Sequence, residues 1–339
     1  MKILVTGGAG FIGSHTVVAL SEAGFIPVII DDFSNSEQQT LAGLEKILGA
    51  RPRCYAENCH NPEVLRRIFI EEQIAGVIHF AAFKAVGESI QEPLKYYHNN
   101  LGSLIVLLQT MLECGITNLI FSSSATVYGQ PAELPVKEEA PLPPPMSVYG
   151  NTKQIGEEIL RDTTAAGKRM KAISLRYFNP IGAHPTAYIG ELPRGVPGNL
   201  VPFITQAAAG IRPDLTVFGD DYDTPDGTCL RDYIHVMDLA EAHVEALKYL
   251  MNNPSDTFYD VFNVGTGRGN SVLEIIRDFE EVSGASVPCR IGPRRGGDVA
   301  AVYADVSKMR LHLNWETKRT IHDGLADAWR WQQSLIKAV

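Results

Sequence analysis

Ser124, Tyr149 and Lys153 place a hydroxyl, a phenol and an ammonium downstream of a glycine turn, Gly7-Gly8-Ala9-Gly10-Phe11-Ile12-Gly13. Glycine lets a backbone turn tightly and approach a pyrophosphate, and the helix that follows offers amide donors and a partial positive charge. Such a turn predicts a bound nucleotide. The phenol and ammonium predict a means of moving protons beside it. Tyr149 and Lys153 are spaced i and i+4, which on a helix sets both side chains on one face. Ser124 closes the run Ser122-Ser123-Ser124 after an apolar strand, and the C-terminal edge of a parallel sheet faces its ligand crevice.

A free tyrosine has a pKa near 10, so a phenolate base at neutral pH needs a lowering of about three units, roughly 4 kcal/mol. Lys153 and an oxidised nicotinamide would both favour the phenolate. Ser124 can hydrogen-bond the same substrate hydroxyl. Together the three groups suit oxidation of a secondary alcohol to a ketone. Asp31 ends the second apolar strand, where a carboxylate accepts from an adenosine ribose diol and repels a 2′-phosphate. No Lys or Arg stands between Asp31 and Lys46. The cofactor expected is therefore NAD rather than NADP, with Asp32 a solvated neighbour.

The elements that must position these groups follow from hydrophobic periodicity. Apolar runs at 2–6, 26–31, 77–81, 118–122 and 172–176 predict buried strands. Stretches 12–23, 36–48, 61–73, 92–114 and 150–166 predict helices, as do 238–251, 271–283 and 320–334. This alternation implies the α/β class: a Rossmann-type doubly wound parallel sheet with a smaller mixed α/β substrate-binding lobe. The expected division is 1–179 for NAD and 180–339 mainly for substrate, with 233–265 folding back onto the first sheet as an option. Segment 180–232, with Pro180, Pro185, Pro193, Pro197, Pro202 and many glycines, reads as loop-rich. Pro141, Pro143, Pro144 and Pro145 mark a rigid loop before Tyr149.

The chain has 339 residues, 45% of them hydrophobic, and a net charge of −9. That composition excludes disorder and gives no general attraction for nucleic acid or an anionic membrane. Five scattered cysteines form no C-x-x-C pair, and the histidines, His184 and His235 included, show no ligand spacing, so no metal is expected. Met1-Lys2 leads directly into strand residues without a signal-like apolar segment, which predicts a soluble cytoplasmic protein.

GGAGFIGSHT, VIHFAAFKAVGESI, FSSSATVYG, YGNTK, LRYFNPIGAHP and RDYIHVMDLA resemble the extended short-chain dehydrogenase/reductase superfamily and, within it, the UDP-glucose 4-epimerase family. The resemblance spans essentially the whole chain. It implies a permanently held NAD that takes hydride from sugar C4, a 4-keto intermediate that rotates about its diphosphate linkage, and return of hydride to the opposite face. Substrates so implied are UDP-glucose and UDP-galactose, and the assembly a homodimer through a helical bundle. Ser124, Tyr149 and Lys153 align with the family's catalytic trio. The cofactor positions implied are Gly7, Gly10, Phe11, Ile12, Gly13, Asp31, Asn35, Ser36, Asn58, Cys59, Phe80, Ala81, Ala82, Lys84, Asn99, Ser122, Tyr149, Lys153, Tyr177 and Phe178.

On the substrate side, an acidic protein must neutralise a diphosphate locally. Arg231 and the pair Arg294-Arg295 lie in loop contexts that suit guanidinium forks. The resemblance adds Ser124, Asn179, Asn199, Leu200, Tyr233, Asp298 and Val302, with Thr216, Val217 and Phe218 framing the uracil. Two departures stand out. Asn58-Cys59 replaces an acidic residue and an aliphatic one near the adenine, and the Asn58 carbonyl can still accept from the exocyclic amine. Val302 replaces a tyrosine that in some members accompanies exclusion of N-acetylated sugars, so UDP-GlcNAc/UDP-GalNAc interconversion is expected as well. The alternatives are a nucleotide-sugar 4,6-dehydratase, opposed by the absence of a carboxylate at Ala125-Thr126, an NADP-linked reductase, opposed by Asp31, and a non-catalytic NAD-binding protein, opposed by the intact Ser/Tyr/Lys set.

Overall fold

The computed structural model describes residues 1–337. The first half alternates strand and helix: β1 Lys2–Thr6, α1 Phe11–Glu22, β2 Ile26–Ile30, α2 Gln39–Leu48, β3 Arg53–Tyr55, α3 Pro62–Glu72, β4 Ile74–His79, α4 Val86–Gln91, α5 Pro93–Tyr96, α6 Gly102–Cys114, β5 Asn118–Ser122, α7 Val148–Ala165 and β6 Lys171–Tyr177. The second half continues with β7 Asn179–Ile181, α8 Leu200–Ala208, β8 Leu215–Phe218, β9 Leu230–Arg231, β10 Tyr233–His235, α9 Val236–Asn252, β11 Phe258–Val264, β12 Asn270–Ser271, α10 Val272–Ser283, β13 Cys289–Gly292, β14 Ala301–Val302, α11 Ser307–Leu313 and α12 Ile321–Lys337.

Seven strands form one sheet in the order β11-β6-β5-β4-β1-β2-β3, and every pairing in it is parallel. Strand residues such as Ile3, Leu4, Val5, Val77 and Ile78 are fully buried, as a sheet covered on both faces requires. One core packs α1 and α9 against one face, with Val17, Leu20, Leu239 and Leu247. A second, with Leu65, Ile68, Leu104 and Leu160, covers the other face. A third gathers α8, α10 and α12 around Ile204, Phe279 and Leu325 in the smaller lobe.

Helix boundaries have local causes. Asn61 accepts from Glu63 N and Val64 N at the start of α3, with Pro62 as the first helical residue. Ser271 and Glu274 form a reciprocal capping box on α10. Gly49, Gly115 and Gly284 close helices in the left-handed conformation.

Three stretches differ from expectation. The helix read over 92–114 is broken by a π-turn, Tyr97–Leu101, between α5 and α6. There Asn100 turns inward, accepting from Phe83 N at 2.9 Å and donating to Phe83 O at 3.0 Å. Strand β4 stops at His79 instead of 81, releasing Phe80 and Ala81 to the crevice. Segment 180–232 is rich in loop but also carries α8, β8, β9 and most of β7. Pro202 sits in the first turn of α8, where no intrahelical donor is lost, so it does not break the helix. No helix among the described residues is long and apolar enough to cross a membrane.

Candidate active site

The glycine turn joins β1 to α1 at the C-terminal edge of the sheet, with Gly7 in the left-handed region at φ 69°. A Cβ on Gly13 would overlap Gly7 O and Gly8 Cα, so only glycine allows α1 to begin this close to the strand. Helix α1 has no side-chain cap and no acidic residue in its first turn. Its opening amides around Phe11, Ile12 and Gly13 are left for an anion.

At the end of β2, the Asp31 carboxylate accepts from Ala9 N at 2.9 Å, Phe33 N at 3.0 Å and Ser36 Oγ at 2.7 Å. Two carboxylate oxygens hold about four acceptor sites, so one remains for a ribose hydroxyl. These features fit a dinucleotide. Asn35 is exposed on the same loop. Asn58 donates to Asp32 Oδ2 at 2.9 Å while its Oδ1 accepts from His60 N at 2.8 Å, so Asp32 is a hydrogen-bond partner as well as a solvated neighbour. Cys59 is buried beside it, and burial pushes its thiol up to about 12.

Phe80, Ala81 and Ala82 follow β4, where Ala81 N donates to Thr6 Oγ1 at 3.2 Å and Thr6 Oγ1 pairs with His79 Nδ1 at 2.8 Å. Asn99 lies in the π-turn and donates to Asn100 Oδ1. Lys84 reaches Glu191 at 3.4 Å. Ser122 Oγ meets Tyr177 OH at 2.7 Å across neighbouring strands.

Ser147 caps α7 by accepting from Gly150 N, which fixes Tyr149 in the first turn and Lys153 in the next. Lys153 Nζ donates to Ser122 O at 2.7 Å and lies 5.7 Å from the Tyr149 ring centroid. Ser124 Oγ accepts from Thr126 N at 3.2 Å and Thr126 Oγ1 at 3.0 Å. With both donors directed at its oxygen, the Ser124 proton is available to a substrate oxygen. The structure thus brings all three groups to the end of β5.

Electrostatics in this pocket are dominated by burial. It drives the Tyr149 phenol well above its usual range, with Tyr177 adding to the rise and Ser124 opposing it. It also pulls the Lys153 ammonium down to about 7, against the field of Glu157. The lowering expected of Tyr149 therefore does not come from the protein alone, because a buried phenolate loses its hydration.

Around the substrate side, Asn179 opens β7 beside Tyr233 of β10. Asn199 donates to Glu191 at 2.7 Å and precedes Leu200 at the start of α8. On β8, Thr216 and the exposed Phe218 alternate with Val217, whose side chain is buried in the small-lobe core and whose backbone is in register with Ile291 of β13. Arg295 lies over the Phe218 ring at 5.4 Å and holds Asp298 through two hydrogen bonds, at 3.1 and 2.8 Å. Arg231 stands 3.8 Å from the same carboxylate. Arg294 is drawn instead to Asp221 at 2.6 Å. Val302 packs with Phe178, Val127 and Tyr128, and pairs with Arg231 in register across β14 and β9.

Residues not singled out from sequence also enter the site. Thr126 orients Ser124, and Glu157 follows Tyr149 and Lys153 at the same four-residue spacing. That spacing was a readable signal.

The model of the NAD dependent epimerase/dehydratase family matches residues 3–265. A UDP-glucose 4-epimerase of Neisseria meningitidis serogroup B is 51% identical over 330 residues, covering 97% of this chain and 96% of that protein. A crystal structure of UDP-glucose-4-epimerase from Stenotrophomonas maltophila with bound NAD and formylated UDP-arabinopyranose has a TM-score of 0.97 at 45% identity, covering 100% of both chains. One from Bifidobacterium longum in complex with NAD+ and UDP has a TM-score of 0.95 at 44% identity, again over 100% of both.

Proposed function

This chain belongs to the NAD dependent epimerase/dehydratase family, and from that premise we propose that it is an NAD-dependent UDP-glucose 4-epimerase, with Ser124, Tyr149 and Lys153 as its catalytic residues. The observation that carries this reading is the convergence of those three groups at the end of β5, on the sheet edge that also carries the glycine turn.

Bound NAD supplies acceptance and return of the C4 hydride. Tyr149 takes the proton of the C4 hydroxyl as the C–H electron pair leaves, and gives it back when the opposite face is reduced. Lys153, fixed by Ser122 O, lies beside the phenol, where its ammonium form favours the phenolate. Ser124 donates to the same sugar oxygen and holds the 4-keto intermediate. Arg231 and Arg295 neutralise the diphosphate, their hold on Asp298 giving way to phosphate oxygens. Thr216, Val217 and Phe218 of β8 frame the uracil, and Asn179, Asn199, Leu200 and Tyr233 line the sugar path. Asp31, Ser36, Asn58 and the glycine turn hold the adenosine and pyrophosphate of NAD. Phe80, Lys84, Asn99, Ser122, Tyr177 and Phe178 hold its nicotinamide end.

We assign cofactor binding to 1–179 with 233–265, since β11 and α9 belong to the large sheet and its cover. The remainder forms the substrate lobe. Val302 presents less bulk than tyrosine beside Phe178, which supports turnover of UDP-GlcNAc and UDP-GalNAc too. Ile90, Leu94 and Ile105, exposed on α4, α5 and α6, support a homodimer through this helical face. The acidic surface suits a cytoplasmic protein.

The deciding experiment incubates purified protein, without added cofactor, with UDP-galactose and with UDP-GalNAc separately. Formation of UDP-glucose establishes the epimerase and its retained NAD, and the second reaction decides the N-acetylated substrates. No conversion of UDP-galactose even with NAD added rejects the proposal.

A further inference from the structure

We propose that Arg194 is a latch holding the adenosine side of the cofactor cleft shut, so that NAD exchange requires this guanidinium to let go; the inference rests on the NAD-binding reading above. Arg194 lies in the strap between β7 and α8, yet its hydrogen bonds go to residues 157 to 161 positions earlier. Nε donates to Glu37 Oε1 at 2.8 Å, Nη1 to Ser34 O at 2.6 Å, and Nη2 to Ser36 O at 2.8 Å and Phe33 O at 3.1 Å. All four acceptors belong to the loop between β2 and α2.

That loop sets the cofactor-facing carboxylate. Phe33 N and Ser36 Oγ are two of the three donors on Asp31. Holding the Phe33 and Ser36 carbonyls therefore fixes the donors that orient the ribose ligand. Arg194 is a positioning residue, acting through the loop and Asp31.

The rest of the strap shows why release would open the cleft. Ile189 is buried in the same core as Leu41 and Leu44 of α2. Glu191, further along, takes Lys84 at 3.4 Å on the loop after β4, and its carbonyl accepts from Trp331 Nε1 at 2.9 Å. In the sheet, β1 lies between β2 and β4. A segment bound to the loops after both neighbours passes over the glycine turn at the end of β1. A dinucleotide seated on that turn lies under the strap. The Arg194 side chain is 47% exposed, so it can swing into water without breaking the core.

The test is exchange of bound NAD for isotopically labelled NAD, followed by mass spectrometry of the cofactor released on denaturation. Arg194→Met is expected to exchange at least tenfold faster than the parent protein and to purify with less NAD per chain. Arg194→Lys should fall between them, since one ammonium cannot span four acceptors. Arg169→Ala removes a comparable exposed ion pair, with Asp256, far from the cleft, and should exchange at the parent rate. Exchange by Arg194→Met within twofold of the parent overturns the latch while leaving the cofactor reading intact. A parent protein that neither carries NAD nor takes up the labelled form overturns both.

Discussion

Glu157 and Arg176 meet in a two-bond ion pair, Nε to Oε1 at 2.9 Å and Nη2 to Oε2 at 2.6 Å, with side chains 3% and 5% exposed. Ser123 Oγ donates to Glu157, and Arg176 Nη1 donates to Tyr128 OH and Glu138 O, so no charge is left without partners. The pair locks α7 to β6 one turn beyond Lys153. Removing one member strands a buried charge, and Glu157→Gln should destabilise the fold by about 3–5 kcal/mol. The double variant Glu157→Leu/Arg176→Met should recover most of that loss. Urea denaturation of the three proteins checks both statements.

Tyr149→Phe deletes the proposed proton acceptor and leaves the ring in place. Turnover of UDP-galactose should fall by roughly 10²–10⁴-fold, the usual contribution of a positioned acid–base group. NAD released from the denatured variant should match the parent amount. Loss of NAD together with activity would show that the phenol is needed for cofactor binding and leave its chemical role unsupported.

Acid should weaken the fold through buried histidines. Burial lowers His15 and His79 to about 3 and His243 to about 4. Their unfolded forms take protons below about 6.5, so the unfolded state binds more protons between that pH and the folded values, and stability falls as pH falls. From pH 7.5 to pH 5 each histidine accounts for about 2 kcal/mol of loss. Denaturant midpoints across this range should show the slope, and His243→Met should make it shallower.

Val302→Tyr places a large ring beside Phe178 and Arg231. It should reduce UDP-GalNAc turnover by at least tenfold relative to UDP-galactose. Rates for the two substrates, measured side by side, check the selectivity.

The legible parts of this protein were those where local geometry dictates residue type. The overlap that a Cβ on Gly13 would make with Gly7 explains why the glycine turn could be read at all. Tyr149 and Lys153 could be paired from their spacing because α7 is regular there. The alternating strands and helices likewise gave the parallel sheet. What stayed hidden depends on partners distant in the chain. Arg194 looks like any surface arginine until the loop at 33–37 is folded against it. The π-turn at 97–101 arises because Asn100 answers the Phe83 backbone, a demand invisible in a helical pattern. Pro202 misled because a breaker in mid-helix is harmless in a first turn.

Strand β11, from residues 258–264, supplies the edge of the sheet beside β6. A ribosome that has just released residue 179 has therefore made the nucleotide turn, Tyr149 and Lys153, but has left β6 with an unpaired edge. At about 5–20 residues per second, several seconds pass before β11 emerges. Throughout that interval the nascent sheet exposes strand groups that can pair with another chain. During synthesis, the edge of β6 is the place to look for chaperone capture and for aggregation of truncated chains.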